Sequence, residues 1–416
     1  MRAEREGMES SVRNYICTER AHYMCPNMHF GIMARIPAEY DAEKVRQSVS
    51  AIQKAHPFLR SVIAEEPGSG KLFYHEQETL LIPIAQKTDA GFWQRDYDSL
   101  GRNGWNVRRE SMLKLLIYPA RGDFEILFTV HHLLCDGRGL LQLVTEFAKH
   151  YVNGIIPDDA GERLIASQED LPGKSDLPLL SRLLVDDVNR RWDREKHSVS
   201  YDEYLDFERT FIRDNPVCRE VEAIDGKDLE AIQTGCRQHG VSVNDYLIAR
   251  MMLEEETEKV IIAADIRDRL RCYKEGALGN YSTAFSVVAG KKDRKNRNVY
   301  ELAERVAKRV ASVRQEPHKE MLVLACYIRM RPELIDAVAI STLGGFKSDT
   351  GAFVGVNMFG YAARNGNCVT NLGKVRSDVI TDAVFIPPAS PANKKTWGVL
   401  TINGRMNICS VIRKEA

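Results

Sequence analysis

One stretch in the first half of the chain changes its hydrophobic period partway along. Its first part alternates apolar and polar positions and so predicts a β-strand. The apolar face of this strand is Phe124, Ile126, Phe128 and Val130. From Leu140 to Tyr151 apolar residues recur every three or four positions, which predicts a helix that Gly154 ends. The polar turn between them, HHLLCDG at 131–137, follows a rigid strand and precedes a helix N-terminus, where a reactive side chain is both held and accessible.

Other patterned segments surround this unit. In the first half we predict a helix at 40–55 that His56-Pro57 ends, a hairpin with strands at 58–63 and 72–75, and strands at 80–85 and 112–119. In the second half we predict a short helix within 179–193, a helix capped by Asp225, helices at 243–253 and 299–314, a strand at 259–265 and a hairpin at Asn403-Gly404. This order of elements is typical of an α+β chain with mixed, largely antiparallel sheets.

The size of the chain allows more than one hydrophobic core. It has 416 residues, of which 44% are hydrophobic and 28% charged. Domains usually contain about 100–200 residues, so two are expected. We place them at 1–165 and 201–416, with a connection at 166–200 that is rich in Asp, Pro, Gly and Arg.

Charge and cysteine usage exclude some classes of partner. The 58 Lys and Arg residues equal the 58 Asp and Glu residues, so no overall field attracts nucleic acid or an acidic membrane surface. The nine cysteines include no CxxC pair, and this odd count suits reduced thiols in the cytoplasm. The N-terminus has no apolar leader, and no stretch approaches the roughly 18 apolar residues of a transmembrane segment. We therefore expect a cytoplasmic chain with no transmembrane segment.

His132 is the candidate for chemistry in the HHLLCDG turn. Strand parity places it on the apolar face, whereas His131 falls on the other. An imidazole with a pKa near about 6.5 is largely neutral at cellular pH, so it can take a proton from a hydroxyl or amine that attacks a carbonyl. Asp136 either orients that imidazole or pairs with an arginine elsewhere, and the spacing does not decide between these roles.

Three other interpretations of the turn remain open. His132 can be a core histidine whose hydrogen bonds are satisfied within the fold. His132 and Asp136 can be metal ligands, although Gly137 and Gly139 make a poor helix start and no third ligand is nearby. Cys135 can be a nucleophile with His132 as its base, although a free cysteine is more often a small buried apolar residue.

The turn also resembles a known motif. HHLLCDG is similar to the HHxxxDG motif of the CoA-dependent acyltransferase superfamily, which includes chloramphenicol acetyltransferase, nonribosomal peptide condensation domains, plant BAHD acyltransferases and alcohol acetyltransferases. Further matching stretches follow the expected order: HPFLR at 56–60, VSVNDYLIA at 241–249, ADIR at 264–267, LGNYS at 278–282 and TNLG at 370–373. The chain most resembles stand-alone bacterial condensation-like and alcohol acetyltransferase-like proteins. The DFGWG signature of the plant branch is absent, which argues against that branch.

This resemblance implies two chloramphenicol acetyltransferase-like lobes with an active-site tunnel between them. It implies that His132 and Asp136 are the catalytic pair and that the site holds no metal. Arg267 matches the family arginine that forms a salt bridge to the motif aspartate, with Arg269 and Arg271 as rivals. A salt bridge between Arg267 and Asp136 would tie the two lobes together across the active site.

The resemblance also nominates residues around the catalytic pair. His131 and Gly137 complete the motif as structural residues. The substrate-lining positions that it nominates are Asn280, Tyr281, Ser282, Asn371 and Gly373. A basic run at 291–297 is either a contact for the phosphates of CoA or of a carrier arm, or a solvated loop.

The function implied by the resemblance is acyl transfer without an acyl-enzyme intermediate. The general base would deprotonate a small-molecule acceptor alcohol or amine as it attacks an acyl thioester. The donor would be acyl-CoA or, with a separate carrier protein as partner, acyl-phosphopantetheine, and no cofactor would be bound permanently. The alternative from another class is a non-catalytic relative that binds a thioester or a carrier protein.

Overall fold

The computed structural model describes residues 13–102, 104–195, 198–290, 293 and 297–414, so the basic run at 291–297 falls mostly outside the described residues. The described residues form thirteen β-strands: β1 (His29–Ile36), β2 (Ser61–Glu65), β3 (Leu72–Glu76), β4 (Ile84–Gln86), β5 (Leu113–Pro119), β6 (Phe124–His131), β7 (Val217–Ile224), β8 (Lys259–Asp265), β9 (Ser282–Val288), β10 (Gly366–Val375), β11 (Asp382–Ile386), β12 (Asn393–Ile402) and β13 (Arg405–Arg413). They also form twelve α-helices: α1 (Ala42–Ala55), α2 (Trp93–Gly101), α3 (Gly137–Asn153), α4 (Leu179–Glu195), α5 (Tyr201–Asp214), α6 (Gly226–Gln238), α7 (Val243–Glu254), α8 (Val299–Arg314), α9 (Pro317–Glu320), α10 (Leu322–Arg329), α11 (Pro332–Thr342) and α12 (Asp349–Val354).

The strand and helix predicted around the HHLLCDG turn are confirmed as β6 and α3. The expectation of a poor helix start at Gly137 is wrong, because α3 begins there. Asp136 is its N-cap, and its Oδ1 accepts a 3.0 Å hydrogen bond from the Gly139 N–H. A carboxylate cap satisfies one of the free N–H groups of the first turn, which offsets the poor helix propensity of glycine. At the other end Gly154 adopts φ +70°, the left-handed conformation that ends the helix.

The first sheet has five strands in the order β11-β1-β6-β5-β4, antiparallel except for the β4–β5 pair. The apolar face of β6 is fully buried in one large core that also contains the inner residues of α1 and α3. The opposite face of β6 is covered as well, since Leu127 packs with Tyr97 of α2 and Leu116 of β5 in a smaller cluster. A strand covered on both faces gives the turn after it a rigid base.

The second sheet has six strands in the order β7-β13-β12-β10-β8-β9. Its centre is parallel, through the β12–β10 and β10–β8 pairs, and its flanking pairs are antiparallel. The inner residues of α7 and α8, among them Met251 and Val306, pack on this sheet and form its core. The strands β2 and β3 form a separate hairpin, as predicted.

The two sheets are joined by an exchange of strands late in the chain. After β10 in the second sheet, β11 crosses to the first sheet and pairs antiparallel with β1, with Met33 opposite Val384. The next strand, β12, returns to the second sheet. This crossing brings Leu372 of β10 and Phe385 of β11 within 3.1 Å of the position that a side chain on Gly137 would occupy. The HHLLCDG turn therefore lies where the two sheets meet.

Several predicted elements have different bounds in the structure. The strand predicted at 58–63 begins at Ser61, because the residues after Pro57 form a 3-10 turn. The strand predicted at 80–85 is only Ile84–Gln86. Asp225 precedes a helix as predicted, but its side chain makes no capping hydrogen bond and instead accepts from Arg405 at 2.9 Å. The helices at 243–253 and 299–314, the strand at 259–265 and the final hairpin are confirmed.

No helix within the described ranges combines the length and the apolar character that crossing a membrane requires.

Candidate active site

A cavity of about 290 Å³ lies between the two sheets, beside the HHLLCDG turn. The first sheet contributes Phe30 and Phe385 to its wall, and the second contributes short side chains from β8, β9 and β10. Five of the predicted site residues line it: His132, Asp136, Gly137, Ser282 and Asn371. The fold thus brings predicted site residues as distant in the sequence as His132 and Asn371 to one cavity.

His132 is held by Asn280 in one tautomer. The Asn280 Nδ2 donates to the carbonyl oxygens of His132 at 2.8 Å and Leu133 at 3.3 Å, and carbonyls only accept, which fixes the orientation of the amide. The Asn280 Oδ1 must then be the atom 3.0 Å from His132 Nδ1, so Nδ1 carries the hydrogen and donates it. The other ring nitrogen, Nε2, keeps its lone pair and bonds to none of the described residues.

Two aromatic rings surround the imidazole of His132. The ring of His22 stacks on it with centroids 4.0 Å apart and planes 11° apart. The ring of Phe30 meets it edge-on at 4.9 Å. Burial lowers the pKa of His132 below its usual value of 6.5, an effect that Asp136 and Asn280 only partly oppose. His132 is therefore neutral at pH 7 and has a free lone pair beside the cavity.

Asp136 is buried and directed away from the imidazole. Its Oδ1 accepts from Arg267 Nη2 at 2.6 Å, and its Oδ2 accepts from the Tyr281 N–H at 2.8 Å, whereas no hydrogen bond joins it to His132. Burial alone raises the pKa of the Asp136 carboxyl, but the Arg267 charge and these hydrogen bonds outweigh it and lower the pKa. Asp136 is thus an ionised anchor between α3 and the segment after β8.

Among the described contacts, neither rival arginine is paired with Asp136. Arg269 pairs with the buried Glu320, and the backbone N–H of Arg271 donates to the Asp170 carbonyl oxygen at 3.1 Å. Arg267 is held from both sides, since its Nη1 also donates to Asp265 at 3.0 Å. Of the three candidates, Arg267 is the partner of the motif aspartate.

The remaining nominated residues lie behind the wall of the cavity. His131 is buried against Trp105, and burial lowers the pKa of its ring to about 3. Tyr281 is buried beneath the Arg267 guanidinium, 5.2 Å from ring centroid to Cζ, and its hydroxyl donates to the Arg163 carbonyl. Gly373 has φ +86° and donates to Asn371 Oδ1 at 2.8 Å, so it shapes the turn that presents Asn371.

Cys135 is fully buried and is not part of the cavity wall. Burial raises the pKa of its thiol well above the ordinary value, so little thiolate forms at neutral pH. A Cys135 nucleophile would therefore need both access and a lower pKa.

Sequence reasoning missed His22, Phe30 and the role of Asn280. His22 lies in a 3-10 turn, Thr18–His22, which carries no hydrophobic period. Sequence reasoning also missed an aromatic part of the wall formed by Tyr327, Phe359 and Tyr361. These residues come from short helices and turns, and no spacing in the sequence relates them to His132.

The charged groups in the wall are confined to one end and are paired. Asp136 pairs with Arg267, while Arg138 lies 3.6 Å from Asp265 and donates to the Leu372 carbonyl oxygen at 2.7 Å. Among the described residues the rest of the wall is uncharged: its side chains are apolar, hydroxyl, thiol and amide groups and the neutral imidazoles of His22 and His132. The arrangement can accept a proton at Nε2 of His132 and can surround an uncharged, largely apolar group.

Comparisons with known proteins identify the fold. Neither the protein-family models nor the curated protein sequences include a match to this chain. Solved structures do match along almost its whole length. The condensation domain of the Monacolin K polyketide synthase has a TM-score of 0.60 at 10% identity, covering 97% of this chain and 92% of that one.

Two further structures extend the likeness. Trichothecene 15-O-acetyltransferase from Fusarium sporotrichioides has a TM-score of 0.60 at 11% identity, covering 96% of this chain and 90% of that one. Polyketide synthase associated protein 5 from Mycobacterium tuberculosis has a TM-score of 0.56 at 15% identity, covering 97% and 93%. The predicted two-lobed α+β fold of condensation domains and chloramphenicol acetyltransferase-like proteins is therefore confirmed.

Proposed function

We propose that this chain is an acyltransferase that moves an acyl group from a thioester to a hydroxyl or amine acceptor. The observation that carries the proposal is the neutral His132, whose Nδ1 is fixed by Asn280 while Nε2 remains free beside a cavity between the lobes. The fold is shared with an acetyltransferase and with condensation domains, which supports this reaction class.

The proposed reaction is a single displacement. His132 Nε2 takes the proton of the acceptor O–H or N–H while the acceptor lone pair forms a bond to the thioester carbonyl carbon. The carbon–sulfur bond then breaks, and the departing thiolate receives the proton from the imidazolium. No acyl group is attached to the protein, and no permanently bound cofactor takes part. Asp136 and Arg267 hold the turn that presents His132.

The lining of the cavity suits an uncharged part of the substrate. Asp136, Arg138 and Asp265 are paired at one end, so the interior offers no free charge to an ionised group. Ser282 and Asn371 are the proposed polar contacts of the substrate. Acyl-CoA is the proposed donor. Because the fold is also that of condensation domains, acyl-phosphopantetheine on a carrier protein is the second candidate donor. All nine cysteines are free thiols, which supports the cytoplasm as the proposed compartment.

The proposal is tested by transfer assays with the full chain. Thiol release is followed for acyl-CoA and acyl-pantetheine donors of increasing length, each with a panel of neutral alcohols and amines. In His132→Ala we expect the rate to fall by about 10²- to 10⁴-fold, the usual contribution of a general base. The exposed His75 serves as the matched control, and His75→Ala should keep the parent rate. Equal rates in parent and folded His132→Ala would remove His132 from the chemistry, and binding of CoA without turnover of any acceptor would favour the non-catalytic alternative.

A further inference from the structure

The stacked pair of histidines has a geometry that the simple base assignment does not require. The His22 ring covers one face of the His132 ring at 4.0 Å with an 11° tilt. We propose that His22 is a positioning residue, whose ring fixes the plane of the His132 imidazole and lies against the imidazolium formed during transfer. This inference rests on the proposed function of His132.

The backbone that carries His22 is firmly anchored. Arg20, two residues earlier in the same 3-10 turn, donates from Nη2 to Asp336 Oδ2 at 2.7 Å and from Nε to Asp336 Oδ1 at 2.9 Å. Both side chains are buried, and Asp336 lies on α11. Arg20 Nη1 also donates to the Gly70 carbonyl oxygen at 2.9 Å. A bidentate buried pair of this kind holds the turn in place, so the position of the His22 ring is set by the fold.

Of the ring contacts that the described residues make with His132, the one with His22 is parallel to its plane and so restrains a tilt of the ring. The bond to Asn280 fixes the position of Nδ1 but permits the ring to tilt about that atom. The Phe30 ring is inclined at 60° to the His132 ring and so is not parallel to it. The parallel His22 ring opposes the tilt, and so it fixes the direction in which Nε2 points. A base must lie within hydrogen-bond reach of the proton it removes, so this direction affects turnover.

The surroundings of His22 and His132 favour protonation of His132 alone over protonation of both rings. Asp136, paired with Arg267, is near enough to favour the charged form of His132 without a hydrogen bond to it, and Asn280 of the second lobe accepts from His132 Nδ1. Burial keeps the pKa of His22 well below its usual value, and the neighbouring histidines add to this effect. His22 therefore remains a neutral aromatic surface when His132 takes a proton, and a cation is attracted to such a surface.

The test uses three variants of the full chain. His22→Phe keeps a flat ring without nitrogens, His22→Leu fills the space without a flat face, and His22→Ala removes the group. Two quantities are measured for each: kcat and KM for transfer, and the titration of the His132 ring by NMR, which needs no activity. We expect His22→Leu and His22→Ala to lose about 10- to 100-fold in kcat with little change in KM, as for a misdirected catalytic group.

The ring-bearing variant should behave differently. His22→Phe should keep most of kcat and a His132 midpoint like that of the parent, whereas in His22→Ala the midpoint should move towards about 6.5 as water enters. Equal losses in His22→Phe and His22→Ala would overturn the proposal and assign a role to a His22 nitrogen. A change confined to KM, or a parent-like titration in every variant, would also overturn it. If the parent protein transfers no acyl group, the proposed function is wrong. The titration then still shows whether His22 holds the His132 ring.

Discussion

Arg267 Nη2 lies 2.6 Å from Asp136 Oδ1, and the two side chains are 10% and 3% exposed. Asp136 caps α3 of the first lobe, whereas Arg267 follows β8 of the second. The same carboxylate accepts the backbone N–H of Tyr281, which immediately precedes β9. One buried carboxylate therefore binds both lobes beside the cavity, and among the described residues it makes no hydrogen bond to His132.

We expect Asp136→Asn to be chiefly a structural lesion. The amide leaves the buried Arg267 guanidinium without its closest counter-charge, and losing one partner of a buried pair costs about 3–5 kcal/mol of unfolding free energy. Thermal or denaturant unfolding measures this change, and the transfer rate should fall with it because the turn loses its anchor. The matched control is Asp265→Asn, whose carboxylate also contacts Arg267 but is 39% exposed. We expect the control to cost no more than about 1 kcal/mol.

A variant that unfolds like the parent while its rate alone collapses would contradict this interpretation. Asp136 would then act on the chemistry through His132, which is the other role that the motif spacing left open.

Gly137 sits at the contact between the lobes, and a side chain there has no room. A Cβ on Gly137 would lie 2.7 Å from Leu372 Cδ2 and 3.1 Å from Phe385 Cζ, and both neighbours are buried. We expect Gly137→Ala to destabilise the fold by about 1–3 kcal/mol through overpacking. Leu372 and Phe385 also line the cavity, so KM should change as well.

Gly173→Ala is the control for this substitution, because a Cβ there meets nothing within 4 Å and the residue does not have a positive φ. The denaturation midpoints of the two alanine variants are compared. Equal midpoints would mean that Leu372 and Phe385 accommodate the added Cβ without a loss of stability.

The sequence predicts the central unit well because each part of it has a local signal. The change from alternating to helical period defines β6 and α3, and Asn403-Gly404 marks the final hairpin through the positive φ angles of both residues. The choice of Arg267 over its neighbours has no such signal. Three arginines alternate along one polar segment, and only the turn after β8 decides which of them reaches Asp136.

The crossing of β11 to the first sheet is equally invisible in the sequence. A strand of five residues carries no information about which sheet it joins. Strand pairing over such a distance is decided by the packing of the whole fold. The position of His22 cannot be predicted from the sequence for the same reason. Its place beside His132 depends on the pairing of Arg20 with Asp336, more than 300 residues away.

The rate of transfer should depend on the protonation of His132. Its pKa is lowered below 6.5 by burial, and only the neutral ring can accept a proton. The rate should therefore fall as the pH is lowered, with its midpoint on the acid side of pH 6.5. A pH profile of kcat/KM for the parent measures this midpoint. A midpoint above pH 6.5 would show that another group controls the rate.

Stability must be followed over the same pH range. His29 and His131 have folded pKa values of about 3 because they are buried. Below pH 6.5 both histidines bind protons in the unfolded chain but not in the folded chain. The free energy of unfolding therefore decreases as the pH falls from 6.5 towards 3. Circular dichroism at each pH, and recovery of the rate on return to neutral pH, separate protonation of His132 from loss of the fold.

The order of substrate binding distinguishes direct transfer from a Cys135 nucleophile. In direct transfer, donor and acceptor occupy the cavity together, so double-reciprocal plots should intersect when both concentrations vary. A covalent thioester on Cys135 would instead give parallel lines and a protein adduct detectable by intact mass. Cys135 is fully buried outside the cavity wall with a raised thiol pKa, so we expect Cys135→Ala to keep most of the parent kcat. Its stability should fall by only about 1 kcal/mol, because one small buried group is removed. An acyl adduct that is present in the parent and absent from Cys135→Ala would transfer the catalytic assignment from His132 acting alone to a Cys135–His132 pair.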